Sequence, residues 1–387
     1  MRTMIAEIDT LSIPEEKKEL ITKRIKKIRD SNTLVNPQII KSFREKAASF
    51  INYNLNTTNM TNEQKIEHTL KTFGIIVRVS HKLAGYSSDT YLIEFSAGTK
   101  INSIYSHRLD IANALDVRNV RISKDLIPYE GKSYLGIEVS KKREKMLPFD
   151  PARITGKKIP LGEDNFGNTI IWDLENHSTP HMLVCGGTGS GKSVFLKTII
   201  KYATNVVDEV VIMDTKRDFV GYNDIEEIEE KMRALVQEME SIIKEKRKKT
   251  TLLIFDEFAD ALANSKKGAE LKLYEDVTEV TTRGTRTKRI HVGELKSLEE
   301  NLRILAQKGR SAGFRIVIAT QRASTKVITG DAKVNFPVQV CFKVQKEIDS
   351  KVVLDESGAE LLTGHGDGLI KSPEYMETIR FQSFYTE

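Results

Sequence analysis

Eight residues, Gly186-Gly187-Thr188-Gly189-Ser190-Gly191-Lys192-Ser193, constrain this chain more than any other stretch. They satisfy the phosphate-loop pattern G-x-x-x-x-G-K-[ST], which works only between a strand and the start of a helix. Both neighbours are legible. Met182-Leu183-Val184-Cys185 is an apolar run of buried-strand length, and Val194-Phe195-Leu196-Lys197-Thr198-Ile199-Ile200 opens a helix. The glycines let backbone N–H groups turn inward on phosphate oxygens, and the helix N-terminus adds positive partial charge. Gly186, Gly187, Thr188, Gly189, Ser190, Gly191, Lys192, Ser193 and Val194 are the expected nucleotide cradle. Lys192 is expected to reach the β- and γ-phosphates of ATP, with the Ser193 hydroxyl on Mg²⁺.

A second apolar run, Thr251-Leu252-Leu253-Ile254-Phe255, ends in Asp256-Glu257, the pattern of a Walker B strand. Buried parallel strands read as continuous apolar runs, and their C-terminal ends face the ligand crevice. Asp256 is expected to hold Mg²⁺ through water, and Glu257 to orient and activate the attacking water. The plainer role for Asp256 is a helix N-cap. Arg315-Ile316-Val317-Ile318-Ala319-Thr320-Gln321 ends in polar residues placed to sense the γ-phosphate or that water, or merely to cap.

Two further strands, Val210-Val211-Ile212-Met213-Asp214 and Val338-Gln339-Val340-Cys341-Phe342, complete the set. Between them Ile225, Ile228, Met232, Leu235, Val236, Met239, Ile242 and Ile243 recur at helical spacing and form a core stripe. Strands alternating with helices predict an α/β fold: a P-loop NTPase (RecA-like) with a doubly wound, mainly parallel sheet.

At 387 residues the chain is long enough for two or three domains. No apolar window reaches membrane-spanning length, and the first residues form no signal-peptide core, so a cytoplasmic location is expected. Cys185 and Cys341 fall inside core strands and read as reduced thiols, and the seven histidines have no metal-ligand spacing. A net charge of +6 permits a nucleic-acid partner without demanding one. Three regions are expected. Residues 1–60 form a helical N-terminal extension, with Ser12, Pro14 and Glu15 at a helix start, Ile21, Ile25 and Ile28 on one face, and Lys23, Arg24, Lys26, Lys27 and Arg29 on another. Residues 63–150 form a smaller α+β domain, and 160–387 the P-loop domain.

Past Asp256-Glu257 the sequence continues Phe258-Ala259-Asp260, and farther on come Leu305-Ala306-Gln307-Lys308-Gly309-Arg310-Ser311-Ala312-Gly313 and Ala319-Thr320-Gln321-Arg322. With Pro180-His181 upstream and Gly358-Ala359-Glu360-Leu361-Leu362 downstream, in this order, the chain resembles the FtsK/SpoIIIE family of DNA translocases. Tyr134-Leu135-Gly136-Ile137-Glu138 is similar to part of that family's smaller α domain. The resemblance implies a homo-oligomeric ring, usually a hexamer, that hydrolyses ATP at subunit interfaces and pumps double-stranded DNA. In such a ring one subunit can lend an arginine to its neighbour's transition state. Arg310 is the candidate the resemblance implies, with Arg322 second.

The sequence departs from that family in three places. Lys351 stands where an arginine is common, and lysine cannot make the bidentate contact. Lys249-Thr250 runs straight into the Walker B strand, without the intervening DNA-contacting loop of the cellular translocases. A segment at 261–300 is inserted instead, and it carries Arg283, Arg286, Lys288 and Arg289 within seven residues. Such a stretch suits backbone phosphate contacts; an exposed hairpin tip with solubilising charge is the other reading. Lys326 and Lys333 are weaker DNA candidates.

The sequence holds no membrane domain, long linker or winged helix of the cellular enzymes, which leads us to expect a stand-alone motor for transfer, mobilisation or packaging of plasmid, phage or mobile-element DNA. A motor moving protein and an ATP-gated DNA-binding scaffold are the rival readings, and any recruiting partner is unknown.

Overall fold

A computed structural model of the chain describes residues 60–141, 146–153, 155–281, 284–325, 328 and 330–386, together with Glu19. The expected N-terminal helix, Arg283 and Lys326 lie outside the described residues. Residues Asn62–Glu387 form one compact unit, built on two sheets and a separate ribbon.

The smaller sheet begins after helix α1 (Asn62–Thr72) with β1 (Val77–Ala84) and β2 (Ser88–Phe95). Helices α2 (Ile101–Ser106) and α3 (Arg108–Ala114) follow, then β3 (Val120–Ile122), β4 (Ile127–Tyr129) and β5 (Lys132–Ser140). Strand order is β1-β2-β5-β3, with β4 also paired to β5, all antiparallel. Alternation along β2 explains the layering. Tyr91 and Ile93 pack with Ile66 and Leu70 of α1 and Ile111 of α3, while Leu92 faces the other way onto Ile127 and Tyr134.

The larger sheet has nine strands. In chain order its elements are β6 (Lys158–Asp164), β7 (Thr169–Asp173), β8 (His181–Cys185), α4 (Lys192–Ala203), β9 (Glu209–Asp214), α5 (Ile225–Glu245), β10 (Thr251–Asp256) and α6 (Phe258–Asn264). The ribbon strands β11 (Lys272–Thr281) and β12 (Gly284–Glu294) come next. Then follow α7 (Leu298–Lys308), β13 (Phe314–Thr320), α8 (Gly330–Asn335), β14 (Val338–Phe342), α9 (Glu347–Leu354), β15 (Asp367–Lys371) and β16 (Ile379–Ser383).

Strand order is β7-β6-β16-β15-β14-β8-β13-β10-β9. The half from β14 to β9 is parallel, as the apolar runs predict, whereas β15, β16, β6 and β7 add to it antiparallel. The sheet is therefore mixed rather than mainly parallel. The inner parallel strands β14, β8, β13 and β10 are buried on both faces, and their two-residue period deals side chains to two cores. Leu183, Leu253, Phe255 and Ile316 meet Met232, Leu235 and Met239 of α5 and Leu305 of α7. Met182, Leu252, Ile254 and Val317 meet Phe195, Leu196 and Ile199 of α4.

In α5 the expected stripe is buried from Ile228 to Ile242, with Ile225 packed at its edge. Ile243 falls off it: the side chain is 45% exposed, because one residue past Ile242 is a rotation of about 100°. The basic insertion folds as the antiparallel β11–β12 ribbon. Among the described residues no helix is long and apolar enough to cross a membrane.

Candidate nucleotide site

In the parallel ladder Cys185 stands opposite Thr320, and Asp256 opposite Asp214. The C-terminal ends of β8, β13, β10 and β9 thus coincide at one edge, where the phosphate loop departs from the central strand β8. Gly189 (φ +74°) and Gly191 (φ +107°) use backbone conformations that favour glycine. Gly191 is fixed twice over, since a Cβ there would stand 2.2 Å from Gly366 N. Neighbouring segments hold the loop open. Gly187 N–H donates to Lys343 O (2.9 Å), His365 N–H to Gly189 O (3.2 Å) and Gly366 N–H to Ser190 O (2.7 Å).

Lys192, the first residue of α4, is buried and bonds the Asp256 carboxylate; its Nζ also lies 3.3 Å from Glu257 Oε1. Lys216, in the loop after β9, places its Nζ 2.9 Å from the same Glu257 oxygen. Glu257 is 1% exposed and sits at φ +51°, a costly region for a non-glycine residue. Its Oε2 accepts the Gln321 N–H at 3.4 Å. Burial pushes the Asp256 carboxyl up from its ordinary range, against the pull of Lys192.

Three oxygens at this edge, Asp256 Oδ2, Glu257 Oε1 and Ser190 Oγ, are buried without a hydrogen-bonding partner, Glu257 Oε1 meeting its two ammonium groups as ion pairs only. Beside them a cavity of about 330 Å³ opens between the phosphate loop, Gln321, His365 and Tyr385, also lined by Ser193 and Val194. That volume lies within the usual range for small-ligand pockets. A glycine-bent loop at a helix N-terminus, a buried lysine and unsatisfied hard oxygens suit a phosphate chain with Mg²⁺: Ser193 and Asp256 fit the metal, and Lys192 the phosphates.

Thr320 is fully buried at this edge, with its Oγ1 accepting the Arg322 N–H at 3.0 Å, and Gln321 lines the cavity. Arg322 points to Asp260, 3.6 Å away. Arg310 is not brought to the site. It lies in the turn before β13 and donates to His177 O at 3.1 Å. Seven residues of strand separate it from the nucleotide edge, roughly 20–25 Å at the usual rise. Lys351 pairs with Glu347 on α9.

The remaining basic candidates are scattered. Lys333 pairs with Asp355 at 2.6 Å. On the ribbon Arg286 stands opposite Glu279, Lys288 opposite Val277 and Arg289 opposite Asp276, with the Arg289 guanidinium 5.1 Å from the Tyr274 ring centre.

Lys216 and the Gly364-His365-Gly366 strap escaped the sequence reading. Lys216 follows the C-terminal end of β9 by two residues, so the rule that picks out Asp256 could have found it. The strap has three successive positive φ values, and nothing in its local sequence tells which segment it touches.

Residues 44–141 match the FtsK alpha domain family, and residues 152–278 the FtsK/SpoIIIE family. The chain is 33% identical over 351 residues to a DNA translocase FtsK of Caldanaerobacter subterraneus subsp. tengcongensis, covering 83% of this chain and 46% of that protein. It is 31% identical over 365 residues to a DNA translocase FtsK of Haemophilus influenzae, covering 84% and 68% respectively. The chain thus spans less than half the length of the first of these relatives. In fold it is similar to the pCW3 conjugation coupling protein TcpA, solved as a monomer with ATPγS. The TM-score is 0.54 at 21% identity, over 84% of this chain and 95% of that one.

Proposed function

The chain belongs to the FtsK/SpoIIIE family, and from that premise we propose that it hydrolyses ATP to move double-stranded DNA, working in the cytoplasm as a homo-oligomeric, hexameric ring. One observation carries the hydrolytic part: Asp256 Oδ2 and Ser190 Oγ are buried and unsatisfied beside Lys192, at the mouth of the glycine-bent phosphate loop. Structures keep such groups where a ligand completes them.

The loop amides and Lys192 bind and orient the phosphates, and Thr320 and Gln321 mark the end of the triphosphate. Mg²⁺, held by Ser193 and Asp256, would offset charge developing on the phosphoryl oxygens. Glu257 orients water for attack and takes its proton. Arg310 lies far from its own chain's cavity, which supports a role in a neighbouring subunit's site. Such arginine fingers contribute about 10³–10⁵ in rate.

The ribbon is the DNA-facing element in this reading, through Arg283, Arg286, Lys288 and Arg289. A two-stranded ribbon fits the major groove, and cations on it bind phosphates without regard to sequence. Lys326 is a lesser candidate, and Lys333 is weakened by its bond to Asp355.

The test is steady-state ATPase with linear duplex DNA, with single-stranded DNA as control. Stimulation by duplex alone supports the motor. Hydrolysis indifferent to DNA favours a protein cargo, and absence of hydrolysis favours a scaffold. Neutralising the ribbon cations should flatten the salt dependence of duplex binding.

A further inference from the structure

Lys216 has no part in the roles above, yet its backbone is fixed and its side chain, though 35% exposed, reaches the buried Glu257. The loop that carries it is organised by Asp214, whose carboxylate oxygens accept the N–H groups of Lys216 and Phe219, each at 2.9 Å. Asn223 closes the same loop by donating to Asp214 O at 2.7 Å. Because Asp214 and Asp256 are level on adjacent parallel strands, the loop just beyond Asp214 runs beside the residues just beyond Asp256. The result is the 2.9 Å contact between Lys216 Nζ and Glu257 Oε1.

That oxygen is shared with Lys192, 3.3 Å away. The sharing cannot outlast nucleotide entry, because a phosphate chain in the loop draws Lys192 to itself. Glu257 is 1% exposed, and Lys216 is the ammonium left in contact with its carboxylate. A buried carboxylate deprived of its partners changes rotamer, and that disables it as a water-orienting base.

We propose that Lys216 is the positioning residue of the hydrolytic step: it holds the Glu257 carboxylate in place once Lys192 has moved to the phosphates. On the other side of the carboxylate the Gln321 N–H holds Oε2, so Glu257 is spanned between the loop after β9 and the end of β13. Lys216 does not line the nucleotide cavity. Its loss therefore acts on turnover and not on ATP binding. The inference rests on the proposed ATP hydrolysis.

The experiment compares full-length wild type with Lys216→Met, Lys216→Arg, Glu257→Gln and the Lys216→Met/Glu257→Gln double variant. Each is assayed for kcat and for KM with ATP under one DNA condition. Misplacing a catalytic group by about 1 Å costs on the order of 10²-fold, so Lys216→Met should lower kcat by roughly 10–100-fold with KM unchanged. Lys216→Arg should recover most of that loss, and the double variant should be no slower than Glu257→Gln alone. Unchanged kcat in Lys216→Met, a raised KM with normal kcat, or losses that multiply in the double variant would each overturn the role of Lys216. An inactive wild type would instead overturn the hydrolysis reading beneath it.

Discussion

Two clusters of buried charge lie within residues Asn62–Glu387, and they are built on opposite plans. One is the nucleotide edge, with buried Lys192, Asp256 and Glu257 and the half-exposed Lys216 reaching in from outside. The other is the joint where β15 and β16 meet the small sheet, with Arg380, Asp367, Glu138 and Arg121.

At the joint nearly every polar atom is matched. Arg380 donates to both Asp367 oxygens (3.0 and 2.8 Å), to Glu138 Oε2 (3.2 Å) and to Ser140 Oγ (2.9 Å). Glu138 Oε1 accepts from Arg121 at 2.6 Å, and the Thr363 N–H and hydroxyl both donate to Asp367 Oδ2 at 2.8 Å. Burial alone would push the Asp367 carboxyl up, but Arg380 and Thr363 hold it below the ordinary range. At the nucleotide edge burial prevails instead and Asp256 is pushed up, with one oxygen unsatisfied. Saturated charges hold two layers together; unsaturated ones await a ligand.

The widest separation between the clusters should appear in turnover. Glu257→Gln is expected to lower the ATPase rate by about 10²–10⁴-fold, the usual contribution of a general base, while still binding ATP. Its folding stability should match or exceed that of wild type, because a neutral amide removes like charge beside Asp256 and Asp214. Lys192→Ala should abolish hydrolysis by removing phosphate contacts. These are read by steady-state ATPase, nucleotide binding and thermal unfolding; near-normal turnover in Glu257→Gln would remove the contrast.

The joint should answer in the opposite currency. Arg380→Met leaves Asp367 buried without its guanidinium and Glu138 with Arg121 alone, a change that costs about 3–5 kcal/mol. Chemical denaturation should show that loss in the unfolding of the small sheet's attachment, and a variant as stable as wild type would show that the joint is no more structural than the site. Gly366 and Asp367 are adjacent in sequence, and Gly366 N–H bonds the phosphate loop at Ser190 O. Some loss of nucleotide affinity should therefore accompany the loss of stability in Arg380→Met. Glu257→Gln should show no such pairing.

The same contrast governs what was legible in the sequence. The parallel strands announce themselves because both faces are buried, so Leu252-Leu253-Ile254-Phe255 and Ile316-Val317-Ile318-Ala319 are unbroken apolar runs. Their polar ends, Asp256-Glu257 and Thr320-Gln321, then identify the site edge. The antiparallel half is short and carries buried Asp367, Arg380 and Gln382, residues that read as surface until their partners are known. Glu138 and Arg380 are 242 residues apart in sequence, and no local pattern encodes that meeting. Lys216 was hidden for a milder reason: a lysine in a polar loop looks like solvated charge until a buried carboxylate is found within its reach.

The smallest effect should come from a group within the joint that resists its rule. Glu377 borders a cavity of about 670 Å³ between β16 and the small sheet, near Arg121 and Glu138. Its carboxyl is pushed up to about 7, by burial first and then by Asp125, with Glu138 and Glu356 adding and Arg121 opposing. An unfolded glutamate titrates near 4.3, so folding favours the protonated form. Whatever stability Glu377 lends is present below about pH 4.3 and is lost as the pH rises through about 7. Asp367 runs the other way, since its depressed carboxyl supports the fold above about 3.9 and ceases to do so in acid. Glu377→Gln should therefore flatten the decline in stability between about pH 5 and 8, by much less than the Arg380→Met effect because the side chain is only half buried. Denaturation midpoints of the two proteins across that range decide the matter. Parallel curves would place Glu377 outside the joint's charge balance, whereas convergence toward acid would show that even the saturated cluster keeps one acid it holds more readily when neutral.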